Sequence, residues 1–167
     1  MFILGQDKEE IHVDTAEANR NTVISLAEQA RFGLNLFTQD LDPNVYDNAD
    51  FEQCIFNLAR KHHSARIRIL TQDSARAERQ GHSLIRLAQK LTSSVFIHNT
   101  ATEHKGEAST FMVVDGTGYI YRPRSTSRNY DAICSFMAPQ RAAELDDFFN
   151  EMWERSTADT QIRRLYI

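Results

Sequence analysis

Thr110-Phe111-Met112-Val113-Val114-Asp115-Gly116-Thr117-Gly118-Tyr119-Ile120-Tyr121 holds two β-forming runs around an Asp-Gly pair. Asp-Gly is a strong short-range hairpin signal, because the tight turn that joins two twisted strands needs positive φ at its centre. The aliphatic and aromatic run before it and the Tyr-Ile-Tyr run after it therefore predict an antiparallel hairpin.

Upstream of this hairpin, strand and helix patterns alternate. Leu34-Asn35-Leu36-Phe37 reads as a short strand, and Phe51, Ile55, Leu58 and Ala59 mark one side of a helix over 49–62. Arg66-Ile67-Arg68-Ile69-Leu70 is a strand by alternation. Leu84, Leu87, Ala88 and Leu91 recur at helical spacing, and Ser94-Val95-Phe96-Ile97 reads as a further strand. A polar loop, 99–107, leads into the hairpin. Earlier still, Asp14 or Thr15 caps a helix over 15–31, with Glu17 at capping-box distance from Asp14. Asp42-Pro43-Asn44 reads as a turn. Downstream, 132–137 is a strand, and Pro139 opens a helix that turns Leu145, Phe148, Phe149 and Met152 inward beside Trp153. The loosely alternating end, 161–167, reads as a strand for its own sheet or for the edge of another subunit. Alternating strands and helices followed by a hairpin predict an α/β fold: a mixed β-sheet flanked by helices on both faces.

Composition narrows the function classes. The chain has 167 residues, 41% of them hydrophobic and 25% charged, which fits one domain with its own core. A net charge of −4 argues against a general nucleic-acid or anionic-membrane binder. The two cysteines, Cys54 and Cys134, lie in apolar settings and read as inert buried thiols. The apolar start, Met1 to Leu4, is too short for a signal peptide, and no run approaches a membrane span, so cytoplasm is the expected location. No metal-ligand motif, glycine-rich phosphate loop or Gly-x-Ser-x-Gly occurs, and no cofactor is implied.

The element order over 34–155, the Phe111–Gly116 hairpin, the Tyr119-Ile120-Tyr121 strand and the closing segment from Ala138 to Leu145 with Phe149 and Trp153 resemble one half of a phospholipase D-like domain. The resemblance implies a first segment, 1–33, that adds a helix to that half, and a tail, 156–167, all within a single domain. In that family the strand before the hairpin carries His-x-Lys-x4-Asp. The His takes the phosphoryl group, the Lys holds phosphate oxygens, and two halves make one site. Placing the family's Asp on Asp115 puts its His at Ala108 and its Lys at Thr110. Alanine offers no nucleophile, and threonine offers no positive charge. The family's later Gly-Ser-x-Asn falls on Arg122, Pro123, Arg124 and Ser125. The motif is degenerate, and the resemblance carries an expectation of a homodimer.

What remains is a set of candidate binding groups. Arg122, Arg124 and Arg128 interleave with hydroxyls such as Ser125, a composition suited to phosphate, while a solvated arginine-rich loop is the plainer account. Asp115 orients a ligand or simply makes the turn. His98 ends a strand that leads toward the family's ligand edge, and His104 with Lys105 lies in the loop before the motif. Two readings stay open. One is a non-catalytic phospholipase D-like module that binds a phosphate-bearing ligand or a protein partner. The other is a phosphodiesterase or phosphoryl-transfer enzyme using a relocated His98 or His104.

Overall fold

The structure, a computed structural model, describes residues 1–61, 63–125 and 128–158. In chain order the elements are β1 (Ile11–Val13), α1 (Ala16–Glu28), β2 (Gly33–Thr38), α2 (Pro43–Tyr46), α3 (Ala49–Lys61), β3 (Arg66–Thr71), α4 (Ala75–Arg79), α5 (Ser83–Lys90), β4 (Val95–Asn99), a 3-10 turn (Thr102–His104), β5 (Thr110–Val114), β6 (Gly118–Arg122), β7 (Ala132–Ser135), α6 (Pro139–Arg155) and β8 (Thr157–Ala158). All strands join one eight-stranded sheet in the order β1-β7-β6-β5-β2-β3-β4-β8. Strands β2, β3 and β4 are parallel, whereas β5 is antiparallel to β2 and β6. The sheet is therefore mixed, with helices on both faces.

Side chains alternate across the sheet and divide the core in two. Leu34, Leu36, Ile67, Ile69, Met112, Val114 and Ile120 face α1, α3 and α5, where Val23, Leu26, Phe51, Ile55, Leu58 and Leu84 meet them. Phe37, Leu70, Phe111, Val113 and Tyr119 face α6 and its Leu145, Phe149 and Met152.

Local chemistry explains where the elements start and stop. Thr15, not Asp14, caps α1: its hydroxyl accepts from the Ala18 N–H at 3.0 Å. The helix ends at Glu28, short of Arg31, and Lys61 Nζ donates to the Ala30 carbonyl just beyond it. Asp42-Pro43-Asn44 is the start of α2 rather than a plain turn, with Asp42 accepting from Asn44 N–H and Pro43 in the first helical position. Strand β7 closes at Ser135, two residues before the predicted end at Met137. Strand β1 and helix α4 were not anticipated from the sequence. The expected strand over 161–167 lies outside the described residues, as does His62.

Candidate functional site

In open α/β sheets, ligands bind beyond the carboxyl ends of the parallel strands, where the strand order changes direction. Here that edge is built by the ends of β2, β3 and β4 and the start of β5. The Ala108 and Thr110 positions lie on it, and the edge is closed by the protein's own amides. The Ala108 carbonyl accepts from Ser125 N–H at 2.8 Å and from Gln39 Nε2 at 3.2 Å. The Glu107 carbonyl accepts from Gln72 Nε2 at 2.6 Å. The Glu107 carboxylate turns back onto Ser109, accepting from its N–H at 3.1 Å and its hydroxyl at 2.8 Å. Thr110 is buried, and its hydroxyl, like that of Thr100, has no partner among the described residues. An uncharged hydroxyl without a neighbouring base is a weak nucleophile.

Arg122 stands directly across from Thr110 on β6. It is only 2% exposed, on the face shared with Ile120. Its guanidinium lies 4.6 Å from the Tyr130 ring centroid, and Nη2 donates to the Asn129 carbonyl at 2.9 Å. Tyr130 in turn donates to Asp42 at 2.6 Å. Burial pushes the Tyr46 phenol up, and Arg122, hydrogen-bonded to it, opposes that shift. Arg122 is thus held inward by aromatic rings and carbonyls, not offered to a ligand. Arg124 and Arg128 are exposed and Ser125 is half-buried; Thr126 and Ser127 lie outside the described residues.

The other candidates lie apart. His98 is on β4, four strands from β6 and roughly 19 Å away at ordinary strand spacing. Its ring stacks on Trp153 with centroids 3.8 Å apart, and Nδ1 is 2.8 Å from Ser156 Oγ. It faces α6, whereas Arg122 faces α1 and α2. His104 sits on the 3-10 turn, beside an Arg155–Glu103 ion pair at 3.0 Å. Asp115 follows the last residue of β5, the end opposite Thr110, roughly 17 Å away along the strand. With a φ of 54°, its carboxylate accepts from the N–H groups of Arg31 (2.8 Å), Phe32 (2.8 Å) and Gly33 (3.0 Å). It latches the loop before β2 to the hairpin. The proposed set therefore does not converge: Asp115 and His98 are each remote from the arginines.

Sequence reasoning missed the glutamine amides of Gln39 and Gln72, which no motif marks. It missed the inward turn of Arg122, although period-2 alternation from Ile120 carries that signal. Burial pushes the thiols of Cys54 and Cys134 up to about 11, so neither is a ready nucleophile. Among the described residues, no group of His, Cys, Asp or Glu is arranged to hold a metal ion, and no helix is long and apolar enough to cross a membrane.

A family model described as a domain of unknown function, DUF7931, matches residues 15–165. The chain belongs to the DUF7931 family. The family match begins at Thr15, so it takes in α1 and the strands from β2 to β8. No curated protein matches this DUF7931 chain. Solved structures do. The phospholipase D family member Nuc from Salmonella typhimurium superposes with a TM-score of 0.67 at 11% identity, covering 92% of this chain and 99% of Nuc. NucT from Helicobacter pylori gives 0.67 at 10% identity, with 90% and 99% covered. The archaeal chromatin protein TrmBL2, whose structure shows a novel mode of DNA binding, gives 0.68 at 15% identity, with 91% and 54% covered. The DUF7931 fold is phospholipase D-like.

Proposed function

We propose that this chain is a non-catalytic phospholipase D-like module that acts by binding a phosphate-bearing ligand or a protein partner. The observation that carries the reading is the state of the edge at Ala108. The side chain there has no nucleophile, and its carbonyl is held by Gln39 and Ser125. Among the basic groups at the surface nearby are Arg124 and Arg128, which suit a phosphate or an acidic surface. A homodimer, the arrangement that the resemblance implies, belongs to the same proposal and is measured by sedimentation. A net charge of −4 speaks against general DNA docking, and no shift of duplex DNA is expected in a gel.

The test joins turnover and binding. Bis-(4-nitrophenyl) phosphate should be hydrolysed no faster than in buffer. Inorganic phosphate or nucleoside monophosphates should perturb the amides of Ser125 and Arg128, and Arg124→Ala should weaken that response. Loss of the phosphate response, with retained pull-down of an acidic protein, would select the protein-partner form. Turnover that disappears in His98→Ala or His104→Ala would sink the non-catalytic reading and favour the enzyme. In its His98 form, that alternative requires the ring to leave both Trp153 and Ser156.

A further inference from the structure

The opposite end of the sheet carries a cleft of about 280 Å³, lined by Phe32, Gly33, Asn35, Arg66, Arg68 and Asp146, with Val113 as its apolar floor. It lies at the starts of β2 and β3, on the α6 face, away from the edge described above. We propose that this cleft binds a small monocarboxylate with an aromatic or branched apolar body.

The charge comes from β3, whose alternation sends Arg66 and Arg68 to the same face. Arg68 is half-buried and pre-positioned. Its Nε donates to Asn35 Oδ1 at 3.0 Å and its Nη2 to Asn150 Oδ1 at 2.7 Å. Its guanidinium carbon lies 5.1 Å and 5.4 Å from the ring centroids of Phe149 and Trp153. Both hydrogen-bond acceptors are neutral amides, and the attraction of Asp146, whose carboxyl is drawn down by Arg68 but raised overall by burial, offsets the cation only in part. A guanidinium held rigid beside an open cleft matches a planar carboxylate, which it grips with two parallel hydrogen bonds. Arg66 stands at the exposed rim, 5.9 Å from the Phe96 ring centroid.

The remaining charges select the ligand. Asp115 lines the cleft, but its oxygens already accept three backbone N–H groups. Asp146 accepts from Asn35 Nδ2 at 2.9 Å, and burial raises its pKa. A carboxylate beside the anion site disfavours a dianionic phosphate more than a single negative charge. The Phe32 ring is 62% exposed at the mouth, an unusual position for so large an apolar group, and it offers a stacking surface. The volume sits at the small end of ligand pockets. Gly33 lets β2 approach β3 closely beside the cleft, since a Cβ there would come 3.0 Å from the Arg66 carbonyl.

Benzoate is the probe, with benzamide as its neutral counterpart and inorganic phosphate as the second anion. Titration followed by amide shifts should move Gly33, Gly116 and the Asn35 side chain with benzoate, and leave them still with the other two. Arg66→Ala and Phe32→Ala change exposed groups and should leave the melting temperature intact. Arg66→Ala should weaken benzoate roughly tenfold, the loss of one charged hydrogen bond. Arg68→Lys keeps the charge but not the fork, and should abolish the shifts. Shifts that fall elsewhere, equal response to benzamide, or unchanged affinity in Arg66→Ala and Arg68→Lys would overturn the proposal. None of these outcomes bears on the phosphodiester assay, so this inference stands or falls apart from the binding-module reading.

Discussion

The two ends of β5 differ in what their residues do. At one end, Ala108 and Thr110 occupy positions that the phospholipase D resemblance assigns to a nucleophile and a cation, and neither side chain supplies one. At the other, Asp115 keeps the residue that the resemblance expects, and it fastens backbone. The comparison teaches that a residue expected at a reacting site can serve instead to hold the shape of the chain. Threonine at 110 is also adjusted to its neighbour across the sheet. Thr110 pairs across the sheet with buried Arg122, on the same face. A lysine at 110 would set two cations against each other, a destabilising cross-strand arrangement.

That adjustment is the sharpest place to test the contrast. Thr110→Lys should cost about 3 kcal/mol, the penalty of an uncompensated buried charge. Arg122→Ala should cost about 3 kcal/mol through its cation–π contact and its hydrogen bonds. The double variant should lose clearly less than both together, because the repulsion exists only when both cations are present. Simple additivity in urea unfolding would dissolve the pairing. Asp115→Ala should cost about 2 kcal/mol, since three N–H groups lose a charged acceptor and alanine tolerates positive φ poorly. Asp115→Asn should lose less. A change within error for Asp115→Ala would remove the latch from the argument.

A smaller effect comes from His82, the N-cap of α5. Its Nδ1 accepts from Leu84 N–H at 3.1 Å and its Nε2 faces the Leu41 carbonyl at 3.1 Å, so the ring is held neutral. Burial lowers its pKa from 6.5, against the pull of Asp47. The unfolded chain therefore takes up the proton first as pH falls. Stability from this group is complete above about 6.5 and declines below it, and His82→Asn should flatten that decline while keeping a cap. Smallest of all, Glu103→Gln should leave thermal stability unchanged, because its ion pair with Arg155 is exposed to solvent.

The sheet was legible because its strands carry strong period-2 runs and its hairpin carries Asp-Gly. Strand β1 was not: Ile11-His12-Val13 is too short for a pattern, and only its pairing with β7 makes it a strand. Asp42-Pro43-Asn44 misled because the same residue types open turns and helices, and Tyr46 and Val45, both buried, decide for the helix. At the site, the expectation of Arg122, Arg124 and Arg128 as one phosphate-binding group is divided because β6 stops at Arg122, with Pro123 next. The arginines then part, one inward and one to solvent. Arg68 was read as a strand residue only. Its setting depends on Asn35, Asn150 and Phe149, which no local window brings together.

The Asp115 latch joins residues 82 to 84 positions apart in the chain. Such a contact closes only after β2 and β5 have found each other, so it belongs to the late part of folding. Its removal should quicken unfolding more than it slows refolding. The residue that most resembles a relic of catalysis would then govern how long the native state lasts before it opens.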